Sequence, residues 1–100
     1  MIYSKEEKEK REKLHRILDL VLDINSFERR SVEITGDKPT AFLYFHGHVS
    51  SLNVSIHENG WVPYACPTYQ REVYFDEEKQ ELDEVIEMLE KIKEEKTSHV

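Results

Sequence analysis

Apolar residues in the first quarter of the chain recur at helical intervals: Leu14, Ile17, Leu18, Val21 and Ile24 form one stripe, which Leu20 and Leu22 flank and widen. Ser4 followed by Glu7 has capping-box spacing, so the pattern predicts a helix over residues 5 to about 24. Its start, within residues 1–12, is charged and is expected to project into water, supported by the i, i+4 pairs Glu6–Lys10 and Glu9–Lys13. The widened stripe offers more apolar surface than one contact needs, which suggests a second partner for this helix.

Past Asn25 and Ser26 the period changes. Val32 and Ile34 alternate with Ser31, Glu33 and Thr35 as in a short strand, and Gly36-Asp37-Lys38-Pro39 is turn chemistry. Residues 40–49 and 52–58 carry the clearest two-residue period. With Ser50-Ser51 as the loop, Val49 pairs with Leu52, Gly47 with Val54 and Phe45 with Ile56. One face then holds Leu43, Phe45, Gly47, Val49, Leu52, Val54 and Ile56. The other holds Tyr44, His46, His48, Asn53, Ser55 and His57. Ser-Ser is a poor type I′ pair, so a loop longer by two residues is an alternative that keeps the same faces.

Asn59-Gly60 is a hairpin signal that predicts a third strand running back from Trp61. Pro63 and Pro67 cannot donate ladder hydrogen bonds, so residues 61–69 read as an edge strand or as irregular chain, and strand character resumes over 71–75. Asp76 is a suitable N-cap for a last helix with Leu82, Val85, Ile86, Leu89 and Ile92 on one face, and residues 97–100 are expected to fray. The elements predict one α+β domain over residues 1–100, ordered α-β-β-β(-β)-α. Two helices pack on one face of a three- to four-stranded antiparallel sheet, and the opposite face is left uncovered.

Composition fills in the setting. Of the 100 residues, 38% are hydrophobic and 35% charged, enough for a core inside a well-solvated surface. Cys66 is the single cysteine, which removes internal disulfides, and the charged N-terminus lacks the apolar run of a signal peptide; a cytoplasmic protein is expected. Residues 76–100 hold four bases against ten acids, and so carry most of the net charge of −7. Without a basic stripe, direct nucleic-acid binding is not expected, and no apolar run approaches a membrane span. A partner with a basic surface suits this balance better.

The candidate chemistries are few. His46, His48 and His57 share the polar face in the pairing above, with His57 diagonal to His46, an arrangement that could hold zinc with a position open for water. No carboxylate joins them to orient an imidazole, so the reading of a solvated or partner-facing hairpin is preferred and zinc is the alternative. Cys66 has no neighbouring cation or helix N-terminus to activate it as a nucleophile. The three glycines are isolated, so no phosphate-cradling loop is present. Tyr44, Trp61, Tyr64, Tyr69 and Tyr74 lack the lysines and arginines of a base-stacking platform, and Trp61 and Tyr64 are better read as anchors for a protein partner. On the last helix, Glu77, Glu78, Glu81, Glu84 and Glu87 are read either as a solvated face or as a row of carboxylates that imitates a phosphate array.

The stretch "FHGHVSSLNVSIHENGW", residues 45–61, with a charged helix on each side, resembles the small accessory proteins encoded by bacteriophages and prophages of Gram-positive bacteria. The resemblance implies an accessory role without catalysis, of the kind played by small acidic α+β inhibitors of host defence nucleases. Residue chemistry and resemblance together lead us to expect a non-enzymatic, cofactor-free module that binds a protein partner or a copy of itself. Its expected contact residues are Tyr44, His46, His48, Asn53, Ser55, His57, Trp61, Tyr64 and the five glutamates.

Overall fold

The computed structural model describes residues 4–27, 29, 32–75 and 80–98. It is an α+β fold: helix α1 (Lys5–Asn25), a short helical turn α2 (Val32–Thr35), strands β1 (Thr40–His46), β2 (Ser51–His57) and β3 (Tyr69–Tyr74), and helix α3 (Gln80–Ser98). Among the described residues the sheet is three-stranded and antiparallel, with β2 in the middle.

The Ser4 hydroxyl caps α1 by accepting the Glu7 N–H at 3.1 Å. Ile17, Leu20, Val21 and Ile24 of α1 meet Leu82, Val85, Leu89 and Ile92 of α3 over Ala41, Leu52, Val54, Ile56 and Val73 of the sheet. One layer of helices thus covers one face of the sheet. Ion pairs Lys13–Asp83, Arg16–Glu90 and Asp23–Lys93 join α1 to α3 in ascending order, so the helices run parallel. Lys10 donates to the Phe75 carbonyl just past β3, whereas Asn25 is bonded to Ala41 at the start of β1. Helix α1 therefore crosses the sheet diagonally.

Three expectations need correction. Residues 32–35 form a helical turn instead of a strand, and Ile34 is exposed. Gly36, with φ 70°, follows as the left-handed residue that ends a helical turn, and that local termination outweighs the β preference of Val32 and Ile34. No strand starts at Trp61 either. Gly60 turns the chain, but residues 60–68 are irregular, and the third strand begins only at Tyr69, after Pro63 and Pro67.

The third correction is the hairpin register. Phe45 pairs with Leu52 and His46 with Ser51, so Gly47–Ser50 form the connection. The Val49 N–H donates to the His46 carbonyl at 3.3 Å, and Ser50 takes the left-handed conformation, φ 49°. A four-residue loop of this kind puts one residue at positive φ where a two-residue Ser-Ser loop would need two. Partners shift by four residues, an even number, so the faces of the two strands survive. Gly47, His48 and Val49 leave the strand.

Candidate functional site

The face of the sheet turned away from the helices carries Thr40, Phe42, Tyr44 and His46 from β1, Ser51, Asn53, Ser55 and His57 from β2, and Gln70, Glu72 and Tyr74 from β3. Except at the Thr40–His57 end, the central strand contributes short polar side chains and the outer strands long ones, so this part of the face is a shallow trough. Its floor is Ser51, Asn53 and Ser55. Tyr44, 52% exposed, and Tyr74, 39% exposed, stand as its walls. The Phe42 ring lies parallel to that of Tyr44, centroids 6.3 Å apart, and meets His57 edge-on at 5.6 Å. On the floor, the Ser51 hydroxyl donates to Glu72 Oε1 at 3.0 Å.

The histidines do not converge. His46 and His48 stack edge-on with centroids 6.2 Å apart, His48 now within the turn. His57 pairs with Thr40 instead of lying diagonal to His46, which leaves it at the other end of β2, about 20 Å along the strand from Ser51 at ~3.3 Å per residue. It is also 7% exposed, covered by Phe42 instead of being presented outward. Among the described residues no three histidines, cysteines or acids are placed to hold a metal ion.

The acidic row is also partly committed. Arg71 lies 2.6 Å from Glu84 and 3.8 Å from Glu81, and the hydrogen bond to Glu84 pushes the guanidinium pKa further up. One guanidinium thus offsets part of the charge of these two carboxylates, and Glu87 is exposed. Glu77 and Glu78, like the Asp76 cap, lie outside the described residues. Trp61 is half-buried and Cys66 exposed in the β2–β3 loop, while Tyr64 is fully exposed at φ 66°. The Ala65 N–H donates to the Val62 carbonyl, closing a turn with Pro63 and then Tyr64 at its corners. A depression of about 640 Å³ beside the start of β1 is lined by Asp37, Lys38, Pro39, Glu58, Asn59, Ile92 and Glu95 and brings no histidine or cysteine together.

Sequence reasoning found Tyr44, Asn53, Ser55 and His57 on the outer face but missed Phe42 and Tyr74. Phe42 was legible, since it shares parity with Tyr44. Tyr74 was not, because its face depends on where β3 begins.

The fold and this surface define a small two-layer α+β domain in which the described residues leave one sheet face uncovered and include no helix long and apolar enough to cross a membrane. No protein-family model matches the chain, and comparison with curated proteins and with solved structures gives no significant match.

Proposed function

We propose that the chain is a non-enzymatic protein-interaction module whose working surface is the outer face of the sheet. The observation that carries this reading is the pair of exposed tyrosines, Tyr44 and Tyr74, walling a floor of Ser51, Asn53 and Ser55. Exposed tyrosines are enriched at protein interfaces and among the few residues that carry most of the binding energy. Tyr64 extends the reading, because a fully exposed aromatic held at positive φ is strain retained at a surface position. The phage-type accessory or inhibitor role implied by residues 45–61 fits a small binder without chemistry of its own. Phosphate mimicry has less support, since Arg71 already occupies Glu81 and Glu84.

A photo-crosslinking amino acid at Asn53, followed by capture from the native host, tests the proposal. Binding of the captured protein to the unlabelled chain, measured by pull-down without crosslinking, should be lost with Asn53→Arg and retained with Glu87→Arg. Equal capture by both variants would remove the outer face from consideration.

A further inference from the structure

The side-chain amide of Asn25 acts as a short substitute for a fourth strand. Its Oδ1 accepts the Ala41 N–H and its Nδ2 donates to the Ala41 carbonyl, both at 2.8 Å, on the side of β1 away from β2. Backbone groups of a strand alternate sides, so Leu43 and Phe45 also direct their N–H and C=O groups to this outer edge. The other edge of β2 agrees, where the Ile56 carbonyl, opposite Ala41, turns to Thr68 and β3. For Leu43 and Phe45 the outward groups have no partner among the described residues.

Natural edge strands are guarded by charge, proline or brevity. β1 is seven residues long, TAFLYFH, with neither charge nor proline. Phe45 at its open end is 64% exposed. The flank of α1 above this edge is apolar as well. At 100° per residue, Leu18 and Leu22 fall on the flank of Asn25, away from Arg16 and Asp23, which face α3, and both leucines are exposed. Leu18 lies about midway between Asn25, held at Ala41, and Lys10, held at Phe75, and so stands level with the middle of β1.

We infer that this edge pairs with β1 of a second copy, antiparallel, about a two-fold axis at Tyr44. In this register Leu43 bonds Phe45 of the copy and Phe45 bonds Leu43 of the copy, which satisfies the free backbone groups through four hydrogen bonds. Gly47 of the copy falls opposite Ala41. There the copy's strand ends in its turn, so the Asn25 cap and the second strand do not compete. A longer foreign strand would continue into Asn25, and that favours the chain's own copy as the occupant. The diagonal course of α1 leaves the Phe45 end of the edge clear for the C-terminal end of the copy's α1, with Leu18 near the axis and Leu22 facing Leu14 of the copy. The absence of charge on β1 avoids like-charge contact between two acidic chains. The pairing uses the edge, not the outer face, and joins two troughs into one six-stranded surface.

Sedimentation of the full chain across concentration, together with cysteine crosslinking, tests the inference. Tyr44 meets itself at a non-hydrogen-bonded position, where Cα atoms approach to about 4.5 Å, within disulfide range. In a Cys66→Ser background, Tyr44→Cys should form an intermolecular disulfide much faster than Tyr74→Cys on the far edge. Leu18→Glu, an exposed change that should leave the helical circular dichroism intact, should weaken the dimer by roughly tenfold or more, and Glu87→Arg should leave it unchanged. A chain that stays monomeric at every concentration overturns the inference. So does a dimer in which Tyr74→Cys crosslinks as fast as Tyr44→Cys, or one indifferent to Leu18→Glu. Oligomeric state is read on the chain alone, so its outcome is distinct from capture of a partner.

Discussion

Arg71 Nη1 lies 2.6 Å from Glu84 Oε2, fastening the outer strand β3 to helix α3. Glu81 sits 3.8 Å from the same guanidinium, so one cation serves two carboxylates a helical turn apart. Each side chain of the Arg71–Glu84 pair is a third exposed or more, which limits the gain through solvent screening. A double-mutant cycle of Arg71→Ala and Glu84→Ala, followed by chemical denaturation, should give a coupling of about 0.2–1 kcal/mol that shrinks in high salt. A coupling independent of salt would mean that packing, not charge, joins the two elements.

Tyr69, beside Arg71, supplies a pH dependence. Burial raises its phenol pKa above the ordinary value of 10.0, against a smaller opposing pull from Arg71. The folded state therefore favours the protonated phenol. This contribution to stability is complete below pH 10 and is lost as pH rises through the folded-state pKa. Unfolding measured from neutral to strongly alkaline pH should show stability falling once the pH passes 10, and Tyr69→Phe should flatten part of the fall. A variant with the same alkaline profile as the parent would show that Tyr69 does not carry the effect.

Core truncations should separate sharply from surface ones. Ile56 and Leu89 have no exposed surface, so replacement by Ala should cost about 2–5 kcal/mol each, from lost transfer energy and the cavity left behind. Leu18→Ala, on the exposed flank of α1, should cost less than about 1 kcal/mol in dilute monomer. Thermal denaturation at low protein concentration is the comparison, because dimerisation would add to the apparent stability.

These contrasts show which parts of the fold were legible. The stripes of α1 and α3 and the alternation in β1 and β2 are periodic, and a periodic signal fixes which side of an element is buried even when its partners are wrong. A Ser50-Ser51 loop puts Phe45 beside Ile56 and the structure puts it beside Leu52, yet Phe45 keeps its face because the displacement is even. The register itself depends on turn conformation, and Ser50 at positive φ carries little compositional warning. Long-range polar contacts such as Asn25–Ala41 and Arg71–Glu84 leave no local trace, because each side chain has an ordinary solvated reading until the tertiary fold brings its partner. The burial of His57 is of the same kind. It follows from Phe42 being its neighbour, and that follows from the register.

Tyr64 should respond in an unusual direction. It occupies the third position of the Val62–Ala65 turn at φ 66°, where Gly is favoured and a bulky L-residue is strained. Its side chain is fully exposed, so Tyr64→Gly removes strain without opening a cavity. The expected result is unchanged or slightly raised stability, within about 1 kcal/mol, together with weaker partner capture if the ring is a contact. Loss of stability well beyond that range would place the ring in packing contacts instead.

Thr40 provides the sharpest test of the sheet's polar side. Its Oγ1 is buried and has no hydrogen-bond partner among the described residues, in a residue only 4% exposed that pairs with His57 at the covered end of the sheet. A buried hydroxyl without a partner gives up its hydration and gains nothing in return, a penalty of about 1–3 kcal/mol. Thr40→Val keeps the β-branched shape and removes that oxygen. It should therefore stabilise the fold by about 1 kcal/mol, whereas Thr→Val where the hydroxyl is bonded usually costs stability. Thr40→Ser keeps the hydroxyl and loses a methyl group, and should be the less stable of the two. If Thr40→Val were the more destabilising change, the hydroxyl must be satisfied in the folded protein, and the His57 end of the trough would be more open than its burial indicates.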